Sequence, residues 1–323
     1  MTRVAVIGLG RIASGHDSGG RPCSHIGCVL GTSNLTLAAV ADPDEAARSA
    51  FQRRWPHAAS RVLSSAEELE NGEAEVIVLA TPTSVRLPVV MQALERRPKL
   101  LVVEKPLAST VAEAKRIVAA ADSRGVALRV NFQRRFDLRH EALRQSLPGA
   151  PRCAILRYGK GLLNYGSHLI DLMLQWFGPA LAVQALTPEV SGKDPVVTFS
   201  MRMQQGFDAH VIGMSGLRFD QFEIDLFFED RRIEIANAGV EMRRYDPVPD
   251  RFYPGYTQLG PGTRVGADAA ISGLYQFYQA ISYHFACGAP LPGCDGLEAI
   301  AGLTVLEAAL RSAREGGRRI ALS

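Results

Sequence analysis

The chain has 323 residues, 47% of them apolar and 21% charged, and a formal net charge of +3. That length suggests two domains with a sizeable core. The small charge, with no Lys/Arg block, argues against a nucleic-acid partner, and no apolar run reaches the ~18 residues of a membrane span. Five scattered cysteines without a CxxC pair, and a strand beginning at the second residue, lead to the expectation of a cytoplasmic protein without disulfides or a leader.

Thr2 to Ile7 is a β-branched run that reads as a buried strand, and Gly8-Leu9-Gly10-Arg11-Ile12-Ala13 follows at once. This is a G-x-G-x-x-A fingerprint in the context it requires, directly after a strand. Gly8 suits the tight turn, Gly10 lets backbone approach a pyrophosphate, and Ala13 permits close helix–strand packing; amides and dipole at the helix start favour an anion. Residues 14–24 hold three glycines and a proline, so the first helix is expected to be very short or broken. The loop that emerges is expected to cap the cofactor or line the substrate site. His16, Asp17, Cys23 and His25 within and beside it have no common metal-ligand spacing, so no metal site is assigned. A second strand, 35–41, ends at Asp42, where a carboxylate accepts bonds from ribose hydroxyls and repels a 2′-phosphate. That favours NAD, while Arg48, Arg53 and Arg54 on helix 44–54 leave NADP open.

Strands 76–80, 100–103 and 126–130 alternate with helices 84–96 and 110–124, which predicts a parallel, doubly wound sheet. Thr81-Pro82 and Glu104-Lys105-Pro106 close two of these strands. The second places a lysine at the carboxyl edge, where open α/β sheets bind ligands. Taken alone it reads as a solvated lysine in a rigid turn; beside a nucleotide site it reads as functional. The Lys105–Pro106 bond is expected to be cis. The domain boundary is drawn at 130/131.

Beyond it the pattern changes. Helix 137–147, strand 152–158 and helix 164–176 precede near-alternating runs at 181–187, 195–204, 207–214, 222–228 and 231–236, which predict a largely antiparallel sheet. Helices 268–287 and 295–314 and a strand at 320–322 complete an α+β domain over 131–323. In helix 164–176, Asn164, His168 and Asp171 or Gln175 are spaced to share one face. Singly, His168 reads as a satisfied core histidine and Asn164 as an N-cap; together with the nucleotide site they read as an active site.

These motifs together resemble the Gfo/Idh/MocA family of sugar and cyclitol oxidoreductases. The resemblance rests on Gly8-x-Gly10-x-x-Ala13, Asp42, Thr81-Pro82, Glu104-Lys105-Pro106 and Gly166-Ser167-His168-Leu169-Ile170-Asp171. It implies an N-terminal Rossmann domain and an α/β substrate domain whose open sheet forms a homodimer or homotetramer. It also implies hydride transfer between NAD(P) and a sugar-like small molecule, with Lys105 as the catalytic lysine and His168 as the histidine near the substrate carbinol. Gly8, Gly10, Arg11, Ile12, Ala13, Asp42, Thr81, Pro82, Glu104 and Lys105 are expected at the cofactor, and Asn164, Tyr165, Arg135 and Tyr158 at the substrate. Two departures stand out. Asn164 occupies the position of a common aspartate, and orients a hydroxyl without taking a proton. Arg86 stands where the family's Thr-Pro helix often carries a histidine. Glu104 would raise the affinity of Lys105 for its proton, so its side chain is expected to point away from the reacting oxygen. Two other readings remain: an enzyme that uses NAD transiently to cleave a glycosidic bond, and a non-catalytic nucleotide sensor.

Overall fold

A computed structural model describes residues 1–17, 21–186, 192–266 and 272–322. Two compact units emerge: Met1–Leu138 with Ala269–Ile300, and Arg139–Asp268 with Ala301–Ser323. Both are therefore discontinuous in sequence.

In the first unit six strands form a parallel sheet. They are β1 (Thr2–Ile7), β2 (Leu35–Ala41), β3 (Arg61–Leu63), β4 (Val76–Leu79), β5 (Leu100–Glu104) and β6 (Ala127–Asn131), in the order β3-β2-β1-β4-β5-β6. This is the doubly wound order of dinucleotide-binding domains, and the order reverses at β1/β4. The central strands are largely apolar and buried, apart from Thr2 and Arg3 at the start of β1 and Glu104 at the end of β5. Every pairing is parallel, so the turns after β1, β2, β4 and β5 share one sheet edge. The expected helices appear as α2 (Glu45–Arg54), capped by Asp44, α3 (Arg86–Glu95) and α4 (Val111–Ser123), capped by Thr110. The three-residue β3 went unpredicted, being too short for a periodicity signal.

The helix after the fingerprint is indeed broken. Arg11–Gly15 makes one π-helical turn, and a separate seven-residue helix α1 (His25–Gly31) follows. Such a short turn leaves little macrodipole, so turn amides rather than a helix dipole are available to an anion. Asp17 folds back onto the start of α1, its Oδ1 accepting from Cys23 N at 2.7 Å and Ser24 N at 2.9 Å and its Oδ2 from the Ser24 hydroxyl. A Cβ on Gly27 would lie 2.2 Å from Asp17 Oδ1, so that packing requires glycine. The described part of the loop is thereby tied to α1; the Ser18–Gly20 stretch lies outside the described residues. Helix α7 (Gly273–Cys287) belongs to this unit and completes the layer that the short α1 leaves incomplete. Its Leu274, Phe277, Tyr278 and Ile281 join Val4, Ile26, Cys28 and Val29 in one core. Tyr275 and Ser282 donate to Gly31 O and Ser33 O, both at 2.6 Å. The start expected for this helix, at 268, lies outside the described residues.

The second unit contains α5 (Leu138–Ser146) from its second residue on, α6 (Ser167–Phe177) and most of α8 (Gly296–Arg314). Its strands are β7 (Cys153–Tyr158), β8 (Ala180–Ala185), β9 (Phe199–Met203), β10 (Asp208–Gly213), β11 (Phe222–Phe227), β12 (Arg232–Ala236), β13 (Glu241–Tyr245), β14 (Pro247–Pro249), β15 (Thr257–Leu259), β16 (Thr263–Arg264) and β17 (Ile320–Ala321). Nine form one sheet, ordered β16-β13-β12-β11-β7-β10-β9-β8-β17, and β14 and β15 form a hairpin. The expected antiparallel pairing holds for most neighbours, but β7 and β10 run parallel. Alternation in sequence reports that one sheet face is buried; it does not encode strand direction.

Candidate active site

The turns on the parallel sheet's carboxyl edge present the fingerprint. Gly8 has φ +91°, and a Cβ there would stand 2.8 Å from Ala80 O, so this position admits only glycine without displacing β4. A Cβ on Gly10 would meet nothing within 4 Å, which leaves its backbone open to an approaching group. Ala13 is fully buried against the sheet. Asp42 sits at the end of β2, its Oδ2 accepting from Leu9 N at 2.7 Å and its Oδ1 from Asp44 N at 2.9 Å. The fingerprint turn and the acid are thus one hydrogen-bonded assembly. Thr81 Oγ1 is buried and has no hydrogen-bond partner among the described residues. A glycine turn with open backbone, a carboxylate beside it and an orphaned hydroxyl at the next strand end fit an adenine dinucleotide. Arg48 donates to Asp42 O at 2.7 Å and Arg54 to Asp17 O at 2.6 Å, so two of the three arginines are engaged by backbone carbonyls.

Lys105 follows β5 directly, and the Lys105–Pro106 bond is cis, as expected. Glu104 is buried and its side chain turns toward α1 and β6, where Oε1 accepts from His25 Nε2 at 3.0 Å and Asn131 Nδ2 at 2.5 Å. The other ring nitrogen of His25 lies 2.8 Å from the Tyr278 hydroxyl. Burial, with Cys28 and Glu104 nearby, holds that phenol well above its ordinary range, so it stays protonated. An ionised Glu104 carboxylate can only accept, so His25 Nε2 carries a proton and donates to it. Burial alone would raise the Glu104 carboxyl, but His25, Asn131 and the Lys105 charge outweigh it and hold it below the usual carboxylate range. Arg86 approaches the same turn from α3. Its guanidinium donates to Glu104 O at 2.5 Å and also to Pro106 O and Thr81 O, joining the ends of β4 and β5. Burial pushes it down to about 10 against the pull of Glu104, and it remains charged at neutral pH.

In the second unit, Leu162–Gly166 forms a π-helical turn ahead of α6. Asp194 braces it, accepting from Leu163 N at 2.7 Å and Asn164 N at 3.0 Å. Asn164 is exposed, whereas His168 and Asp171 are buried on α6. Asn164 thus lies in the π-helical turn and His168 and Asp171 on the helix that follows it. Tyr165 donates to Asp220 Oδ2 at 3.0 Å.

One expectation is corrected outright. Tyr158 is fully buried, its hydroxyl donating to Val197 O and accepting from Val197 N, both at 2.8 Å. It is a core residue of the second unit, its hydroxyl held by backbone groups. Arg135 lies in the first unit and pairs with Glu298 at 2.8 Å. Sequence reasoning missed Asn131, Tyr278 and Asp194, whose neighbours are distant in the chain. It weighed His25 as a metal ligand and preferred a loop at the cofactor or substrate, without its bond to Glu104; no cluster of three or more His, Cys, Asp or Glu residues suited to a metal occurs among the described residues. No helix among them is long and apolar enough to cross a membrane.

Residues 2–132 match the family described as "Oxidoreductase family, NAD-binding Rossmann fold". Inositol 2-dehydrogenase of an Arthrobacter species is 34% identical over 145 residues, 44% of this chain and 40% of that protein. The scyllo-inositol 2-dehydrogenase (NADP(+)) of Bacillus subtilis is 24% identical over 303 residues, 82% of this chain and 83% of that protein. The crystal structure of an aldose–aldose oxidoreductase from Caulobacter crescentus, complexed with glycerol, superposes with a TM-score of 0.79 at 18% identity, over 99% of each chain, a likeness of fold. The part of the chain that matches is thus the NAD-binding Rossmann domain of the Gfo/Idh/MocA oxidoreductase family. The match to the Arthrobacter enzyme spans well under half of that relative's length.

Proposed function

We propose that this protein is an NAD(P)-dependent oxidoreductase that transfers a hydride between the nicotinamide ring and a carbinol or ketone carbon of a sugar, sugar derivative or cyclitol. The observation that carries this reading is Lys105 at the carboxyl end of β5, on the same sheet edge as Gly8, Gly10, Asp42 and Thr81. The inositol dehydrogenases among its relatives support the substrate class. The nicotinamide, when bound, supplies the hydride acceptor or donor. The chain's own work is to bind, orient and move one proton.

Lys105 is the group that takes or returns the proton of the substrate oxygen. A free lysine titrates near ~10.4, and burial beside a positively charged ring brings it toward neutrality. Glu104 serves it best while held by His25 and Asn131, away from the reacting oxygen. His168 is the histidine partner at the carbinol, and Asn164 orients a neighbouring hydroxyl, with Tyr165 beside it. Asp42 favours NAD, since its carboxylate repels a 2′-phosphate. The first unit is the dinucleotide domain; the second binds substrate and, through the open face of its sheet, forms a homodimer or homotetramer in the cytoplasm.

The test is a screen of inositols, aldoses and nucleotide sugars for NAD(P)H formation, with Lys105→Ala alongside. Turnover lost in the variant while NADH binding persists supports the reading. Cofactor binding lost together with turnover makes the lysine structural, and NADH binding without turnover of any polyol favours a nucleotide sensor.

A further inference from the structure

His25 stands fully buried at the start of α1, delivered there by a loop that interrupts the usual first helix and is tied down by Asp17, Ser24 and Gly27. A buried imidazole must find partners for its nitrogens, and both are engaged here. Its two partners come from elements far apart in sequence, Glu104 on β5 and Tyr278 on α7. Glu104 is the residue immediately before Lys105.

We propose that His25 is a positioning residue for Lys105: by donating to Glu104 it holds that carboxylate toward α1 and β6 and keeps it from pairing with the lysine ammonium. The inference rests on the proposed role of Lys105. The groups facing Glu104 are His25 on α1, Asn131 on β6, Lys105 on its own strand end and Arg86 on α3; Tyr278 on α7 and Cys28 on α1 stand behind the imidazole. Oε1 of Glu104 takes two donors. Removing one loosens the carboxylate within the field of the neighbouring Lys105 charge, toward which it can then shift. A carboxylate within reach stabilises the charged lysine, so the lysine deprotonates at higher pH. The interrupted helix of this chain is thus the device that brings a hydrogen-bond donor to the lysine's neighbour.

The experiment compares wild type with His25→Phe, which keeps the ring volume and removes both hydrogen bonds, and His25→Gln, which restores a donor toward Glu104. The chain has five lysines, so reductive methylation with ¹³C-formaldehyde gives a resolvable set of dimethyl-lysine signals. Lys105→Arg assigns the one in question. The expected result for His25→Phe is a Lys105 titration midpoint about one pH unit higher, hence roughly tenfold slower oxidation at neutral pH. The rate recovers at high pH, KM for NAD is unchanged, and His25→Gln lies close to wild type. An unmoved midpoint, or a rate lowered equally at every pH, overturns the proposal and leaves His25 as packing. Should His25→Phe fail to fold, His25→Met, which also removes both hydrogen bonds, carries the same test, and an unmoved midpoint there is equally fatal. A midpoint that shifts as expected in a protein that turns over no polyol leaves the positioning intact and refutes the proposed function instead.

Discussion

Arg86→Met is the sharpest test of how the carboxyl edge of the parallel sheet is built. Arg86 is 2% exposed and its guanidinium donates to three backbone carbonyls, those of Thr81, Glu104 and Pro106. Hydrogen bonds from a charged donor contribute about 1.5–3 kcal/mol each, so three give roughly 4.5–9 kcal/mol. Against this stands the cost of burying the cation. Burial pushes the guanidinium down to about 10, a penalty of ~3 kcal/mol on the charged form. The difference predicts a loss of about 1.5–6 kcal/mol for Arg86→Met, with the apolar stem retained by the replacement. For a unit of this size that is a fall in Tm of about 3–24 °C. Scanning calorimetry measures it, with NADH fluorescence reporting a several-fold weaker affinity because the ends of β4 and β5 are no longer joined. Arg86→Lys recovers only part of the loss, since an ammonium lacks the planar fork that spans separate carbonyls. A methionine variant melting within about 2 °C of wild type and binding NADH normally would refute the claim that this cation organises the edge.

Glu104 has a depressed folded-state pKa, so its contribution to stability is complete above the unfolded value near ~4.3 and is lost as pH falls through the lower folded value. Thermal melts from pH 7 down to 3 should show that acid-side loss in wild type and a flatter profile in Glu104→Gln. Gly8→Ala places a Cβ 2.8 Å from Ala80 O at φ +91°; NAD binding should weaken at least tenfold by calorimetric titration, with a stability cost of about 1–3 kcal/mol. In the second unit, Asp225 is buried between Arg157 at 2.7 Å and Arg232 at 2.5 Å. Asp225→Asn should cost about 2 kcal/mol in urea unfolding, less than a fully buried pair because both arginines are partly exposed.

Much of the first unit was legible in the chain itself. Buried strands, caps such as Thr110 and Asp44, and the G-x-G-x-x-A turn are local signals, and each set its element to within a residue or two. The second unit was legible as alternation, yet the parallel β7–β10 pair was not, because strand direction depends on which neighbour a strand meets. Tyr158 shows the same limit at one residue. Its type suits a polar pocket, but the bond partners that place it in the core, the backbone groups of Val197, lie 39 residues away.

The sequence alone determined that a lysine ends a buried parallel strand beside a dinucleotide fingerprint, since strand pattern, glycine turn and proline are all encoded within a few residues. Tertiary structure alone decided what holds that lysine's neighbours. His25, Asn131 and Tyr278 meet Glu104 or its partner from 79, 27 and 253 residues away, and Arg86 reaches back to Pro106 across 20. Burial makes each of these contacts count, because a polar group taken out of water must find its partner wherever the fold supplies one.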